Sequence, residues 1–185
     1  MGGIMLTALA GIGSWTLVEY LLHRFLGHDR RTWPNGFASE HTRHHSEGNY
    51  FAPAWKKAAI TALGVPVVGA LAALAVGITP GAIYGAAFVG MYVIYEVIHR
   101  RTHTHHGRGA YGRYLRRHHF HHHFGDPRTN HGVTSPLWDL VFGTWQAPGR
   151  IRVPAKLQMC WLADPRTGEV YADLATDYEI VRRAS

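Results

Sequence analysis

The sequence predicts an all-α integral membrane protein with about three transmembrane helices and a cytoplasmic, His-rich helical cap. Three observations predict it. Two stretches, Met1 to Leu22 and Ala58 to Ile98, contain no Lys, Arg or Asp, and all 19 Lys and Arg lie outside them. Each is long enough to hold helices crossing a hydrocarbon core of about 30 Å. All 15 histidines, more than the 12 acidic residues, also lie outside these stretches.

The first apolar run is Ile4 to Leu26. It lacks the basic start and small-residue cleavage site of a signal peptide, and it leads directly into Glu19, His23 and His28. The second run is Ala58 to Ile78 and the third Gly81 to Ile98. The uncharged Thr79-Pro80-Gly81 reads as a tight turn, so the two runs form a hairpin. Gly64, Gly69, Gly85 and Gly90 suit either close helix contact in lipid or simple flexibility. The N-terminus and the 79–81 turn carry no Lys or Arg, whereas the 24–57 loop and the chain after Ile98 carry all of them. The positive-inside rule therefore places the N-terminus outside and the C-terminus inside, with every histidine on the cytoplasmic side or just within the membrane edge.

Beyond the spans, Gly112 to Phe124 reads as a short His-rich helix. Ser135-Pro136 suits an N-cap followed by proline at the first helical position. The LWDLVFGTW that follows reads as a short amphipathic segment at the interface, with Trp138 and Trp145 in the aromatic belt. From Ile151 the chain is mixed in character, and Asp164 to Gly168 reads as a turn between two short strands.

The single cysteine, Cys160, excludes an internal disulfide and a cysteine-based metal knuckle. The net charge of +7 could suggest nucleic acid. Its basic residues flank apolar spans, and no nucleic-acid-binding motif accompanies them, so no nucleic-acid partner is expected.

The histidines fall into four clusters: His23 and His28; His41, His44 and His45; His99 and His103; and the run from His118 to His123. Residues at i, i+3 and i+4 share a helix face. His41, His44 and His45 meet that rule, as do His99 and His103, and His119, His122 and His123. His23 and His28, five apart, do not, unless the helix ends at Gly27 and lets His28 fold back. These ten imidazoles exceed the need of one metal and suit two. Nitrogen-rich ligation fits Fe, Zn or Cu and argues against Mg or Ca. Glu19 and Glu96 precede clusters within the apolar spans, where a carboxylate is expensive. They are expected to hold a ligand's other ring nitrogen, the alternative for Glu96 being a salt bridge with Arg100. His105, His106 and His131 are read as ordinary surface or core residues.

EYLLHRFLGH (19–28), HTRHH (41–45), YEVIHRRTH (95–103) and HFHHH (119–123) resemble, in order, the histidine boxes of the fatty acid hydroxylase or sterol desaturase superfamily. Gly132 to Trp145 resembles the segment that follows the last box. SWTLVEYLLHRFLGH is especially similar to the fatty acid 2-hydroxylase branch. The resemblance implies two iron ions that activate O2 to hydroxylate a lipid C–H bond, most readily that of a fatty acyl chain; affinity alone does not pick the metal, so zinc could replace iron in purified protein. It assigns the ligand role to His23, His28, His41, His44, His45, His99, His103, His119, His122 and His123. His118, His121 and His122 also satisfy HxxHH, but the later set keeps the family's spacing to Gly132. His131 stands where relatives usually have an aromatic residue. No cytochrome b5 domain is recognised, so the electrons are expected from a separate cytochrome b5-like or ferredoxin-like donor. Residues 1–150 are then a membrane-embedded di-metal hydroxylase domain and 151–185 a soluble C-terminal tail. A sterol oxidase or desaturase and a carotenoid hydroxylase are rivals of the same chemistry. A non-catalytic metal-binding or metal-transport membrane protein is the rival of another class, weakened because the histidines gather at one face rather than along a path through the membrane.

Overall fold

The computed structural model describes residues 2–182. Its helices are α1 (Gly2–Leu21), α2 (Gly36–Glu47), α3 (Ala54–Val76), α4 (Ile78–Thr104), α5 (Gly109–Phe124) and α6 (Leu137–Val141). A π-helical turn, Leu22–Gly27, continues α1, and two four-residue strands follow α6, β1 (Ile151–Pro154) and β2 (Tyr178–Val181). The chain is therefore mostly helical, as expected, with a small sheet added. Two compact units can be distinguished, residues 2–19 with 52–97, and residues 20–51 with 98–182.

The first unit is apolar outward. Among the described residues of α3 only Gly69 is buried, while Leu71, Leu74 and Val76 are exposed. That pattern is the reverse of a helix folded in water and suits lipid, where backbone polarity must be satisfied inside the helix. Three helical stretches are long and apolar enough to cross a membrane: Gly2–Gly27, Ala54–Val76 and Ile78–Thr104.

The break between α3 and α4 falls at Gly77, not at the expected 79–81. Gly77 takes a φ of +88°, and its N–H closes on the Ala73 carbonyl. Pro80 then sits in the first turn of α4, where its missing N–H costs nothing. Gly81 has a different duty: a Cβ there would lie 2.5 Å from the Ala73 nitrogen, and one at Gly85 would lie 2.6 Å from the Gly69 nitrogen. Gly81, Gly85 and Gly69 thus mark a close helix crossing, whereas Gly90 faces open space. Beside it, Trp15 packs edge-on against Phe88 and Tyr92.

The second unit is built around α5. Its Phe120 is fully buried in a core with Ile151, Val153, Met159, Trp161, Leu162, Leu174 and Tyr178. β1 and β2 pair in parallel, Ile151 opposite Tyr178. The expected turn at 164–168 is present, closed by Gly168 N–H to the Asp164 carbonyl at 2.7 Å. It is flanked by a single antiparallel bridge, Ala163 with Val170, rather than by the two strands themselves.

Candidate metal centre

Four local structures carry the histidines. Helix α2 starts at Asn35, whose side chain accepts from Ala38 N–H at 2.7 Å, and ends at Gly48 with a φ of +69°. It carries His41, His44 and His45. The last two turns of α4 carry His99 and His103, and α5 carries His119, His122 and His123. His23 and His28 lie in and just after the π-helical turn, whose i→i+5 hydrogen bonding sets residues five apart one above the other. Their rings are 5.3 Å apart. The helical stretch does end at Gly27 as expected, but it ends in a widened turn that sets His28 back over His23. Gly27 itself is needed for approach, because a Cβ there would lie 3.0 Å from the His41 ring.

The ten histidines gather into two groups of five. The first holds His23, His28, His41, His45 and His122, and the second His44, His99, His103, His119 and His123. Within each group one ring nitrogen per residue lies within 4.8 Å of all the others. Each HxxHH cluster is split. Its i,i+4 pair goes to one group and the middle histidine to the other: His41 and His45 against His44, His119 and His123 against His122. The groups abut, since the His45 and His123 rings stack 4.0 Å apart at 8°.

The tautomers are fixed from behind. His23 Nδ1 faces the His131 carbonyl at 2.5 Å, His122 Nδ1 the Thr129 carbonyl at 2.7 Å, and His44 Nδ1 the Tyr50 carbonyl at 2.7 Å. A carbonyl oxygen only accepts, so each Nδ1 donates and each Nε2 presents a lone pair. Those Nε2 atoms point into their groups, His23 to His41 at 3.1 Å, His122 to His28 at 2.9 Å and His44 to His99 at 3.0 Å. His45 Nε2 and both ring nitrogens of His123 are buried with no hydrogen-bond partner. Buried nitrogen lone pairs converging without enough protons are costly, and a bound cation satisfies them. Both groups are capable of binding metal.

Burial keeps these imidazoles neutral, as metal ligation requires. Desolvation, reinforced by neighbouring rings, holds His41, His119, His122 and His123 well below 6.5. Desolvation and then His131 bring His28 down to about 4, and His45 lies at about 2, chiefly through desolvation. An unfolded chain takes up protons below 6.5 that these folded residues refuse. The metal-free protein is therefore expected to have its full stability above pH 6.5 and to lose it as pH falls toward 4 and below. Thermal unfolding in detergent checks this, and a midpoint unchanged between pH 6.5 and 4 would contradict it.

None of the other five histidines belongs to either group. His118 Nε2 lies 3.2 Å from Asp139 Oδ2, His121 Nε2 meets Gln146 Oε1 at 2.9 Å, and His105 and His106 are exposed. His131, read as surface or core, takes the core place: it is 2% exposed, with its ring 5.2 Å from that of His122 and 5.5 Å from that of His23. Glu96 pairs with Lys57 of α3, not with Arg100, and Glu19 is buried. Sequence reasoning missed Asp139 altogether. α6 exposes Leu137, Leu140 and Val141 and buries Asp139 completely, so the charge in LWDLV was the available signal.

The family model for fatty acid hydroxylase matches residues 8–144. The chain belongs to the fatty acid hydroxylase family. This fatty acid hydroxylase family member is 36% identical to dihydroceramide fatty acyl 2-hydroxylase FAH2 of Arabidopsis thaliana, over 79% of this chain and 62% of that one. It is 33% identical to FAH1 of the same plant, over 72% of this chain and 58% of that one. Among solved structures it resembles full-length scs7p, of which only the hydroxylase domain is visible, with a TM-score of 0.60 and 25% identity over 79% of this chain and 57% of that chain. The chain thus spans less than two thirds of the length of these relatives. The expected likeness to fatty acid 2-hydroxylases holds, and with its three spans this family member is an integral membrane protein.

Proposed function

We propose that this protein is a membrane-bound di-iron oxygenase that hydroxylates a lipid C–H bond with O2, with a fatty acyl chain as substrate. The observation that carries the reading is the pair of abutting five-histidine groups, with lone pairs turned inward, in a fatty acid hydroxylase family chain. One ion would sit in each group, held by His23, His28, His41, His45 and His122, and by His44, His99, His103, His119 and His123. Iron, when bound, supplies the redox chemistry by which O2 oxidises an unactivated C–H bond. The balance is one C–H, one O2, two electrons and two protons giving one C–OH and one water. The electrons come from a cytochrome b5-like or ferredoxin-like donor.

The chain's own contribution is arrangement. Backbone carbonyls of Tyr50, Thr129 and His131 hold the proton on Nδ1 and aim Nε2. Buried neutral imidazoles keep the cage free of competing protons. Glu19 and Glu96, four and three residues before His23 and His99, would each accept the proton of a ligand's other ring nitrogen and so fix its tautomer. Residues 1–150 carry this chemistry, and residues 151–182 back α5 through Phe120.

In the membrane, the N-terminus lies outside and residues 24–57 and 99–185 inside, because the Lys and Arg are segregated that way. Reporter fusions should place the 77–81 turn and the C-terminus on opposite sides, and finding them on one side would refute the orientation. The function itself is tested by lipid profiling of a host with and without the chain. Hydroxylated acyl chains should appear only with it, and an unchanged profile in iron-replete cells expressing the protein would count against it.

A further inference from the structure

We propose that Asp139 is a positioning residue that sets the first histidine group by holding the 129–132 loop, and so controls how firmly that group alone binds metal. This rests on the reading of the two groups as metal sites. The loop matters because two members of the first group lean on it: His122 Nδ1–H donates to the Thr129 carbonyl and His23 Nδ1–H to the His131 carbonyl. Both come from distant elements, so the loop is the one surface that orients the two rings together.

Asp139 holds that loop. Its Oδ1 accepts from His131 N–H and its Oδ2 from Gly132 N–H, each at 2.8 Å. Thr144 Oγ1–H donates to Oδ1 at 2.8 Å, and His118 Nε2–H donates to Oδ2 at 3.2 Å. The carboxylate is 0% exposed. Burial alone would push its pKa up, but the bonds from His118, Gly132, Thr144 and His131 outweigh burial and hold it below the usual carboxylate range. A buried anion with four donors is a firm anchor.

The loop has no slack to take up if the anchor goes. Asn130 stands at a φ of +56° and exchanges hydrogen bonds with Gln146 on both sides of its amide, at 2.7 and 2.9 Å. Gly132 admits no side chain, since a Cβ would lie 2.1 Å from the Ser135 carbonyl oxygen. The second group is held from elsewhere. There, the backbone carbonyl of His103 accepts from Trp161 Nε1–H at 3.0 Å and that of Tyr50 accepts from His44.

Asp139→Asn keeps the shape but turns an amide NH2 toward donors. Loading with Co(II) alone, measured by elemental analysis and visible absorption, separates the outcomes. The wild-type protein should take two ions per chain. Asp139→Asn should take one, with the absorption of the first group lost and that of the second unchanged, and the surviving ion reports that the fold is intact. Thr144→Val, which removes one donor and leaves the carboxylate, should bind both ions, the first roughly 10-fold more weakly. Two ions with unchanged spectra in Asp139→Asn would overturn the proposal. So would equal weakening of both ions in Thr144→Val, which would mark a general structural role. A wild-type protein that takes fewer than two ions would instead defeat the reading of the groups as paired metal sites.

Discussion

His28→Ala and His119→Ala should each lower the metal content from two ions per chain to one and reduce lipid hydroxylation to background. The groups share no histidine, so each substitution removes a nitrogen donor from one group only. His28 sits between two other donors of the first group, with Nε2 2.8 Å from that of His41 and 2.9 Å from that of His122. His119 Nε2 lies 2.8 Å from that of His103 in the second. On the proposed two-ion reading, losing one ion should end activity, because neither ion alone would hold the arrangement the reaction uses. His118→Ala should be milder: its Nε2 is engaged with Asp139, outside both groups, so only one of four bonds to the carboxylate is lost. Elemental analysis and activity on the same purified samples check all three. If His118→Ala loses an ion and His119→Ala does not, the assignment within the last box is wrong.

The spans and the histidine clusters were legible because both depend on local pattern. Charge segregation marks a lipid-facing helix within one stretch of chain, and i,i+3,i+4 spacing marks a helix face within one turn. The hairpin turn was misplaced by a few residues because Pro80 and Gly81 look like turn residues, while the crossing of α3 and α4 requires Gly81 for approach to Ala73. His23 and His28 needed a π-helical turn, which no α-helical period reveals. The division of HTRHH between two groups also escaped notice. A shared face says which side chains point together, but the 100° or so between successive residues lets one helix feed two neighbouring sites.

What stayed hidden is set by backbone atoms and by distance in sequence. His131 acts through its carbonyl on a residue 108 positions away, and a carbonyl leaves no mark in the sequence. Asp139 was masked by its setting. In LWDLVF a charge reads as the wet side of an amphipathic helix, yet here the apolar side chains face outward and the acid faces in. β1 and β2 were expected only as two short strands about the 164–168 turn; four residues each, paired in parallel across 23 intervening residues, they carry too little pattern to fix their bounds or pairing.

Iron-loaded protein given electrons and labelled O2 should place one labelled oxygen atom in a new hydroxyl of a long acyl chain, and the other in water. Three links lead there. The two histidine groups offer nitrogen alone, from neutral rings whose lone pairs are already aimed, which suits a redox-active pair of ions better than the oxygen-loving Mg or Ca. His23 and His99 follow Glu19 and Glu96 at the ends of apolar spans, so a lipid tail is the substrate that shares their surroundings. The function proposed above, in a chain of the fatty acid hydroxylase family, then tilts the choice among lipids toward fatty acyl and sphingolipid acyl groups. A single-turnover assay with mass spectrometry of the lipid is the measurement. A new double bond with all of the label in water would point to a desaturase. No O2 uptake with any lipid, despite full iron loading and reduction, would leave a metal-binding membrane protein without catalysis, because the same ten histidines would then hold ions that no substrate reaches.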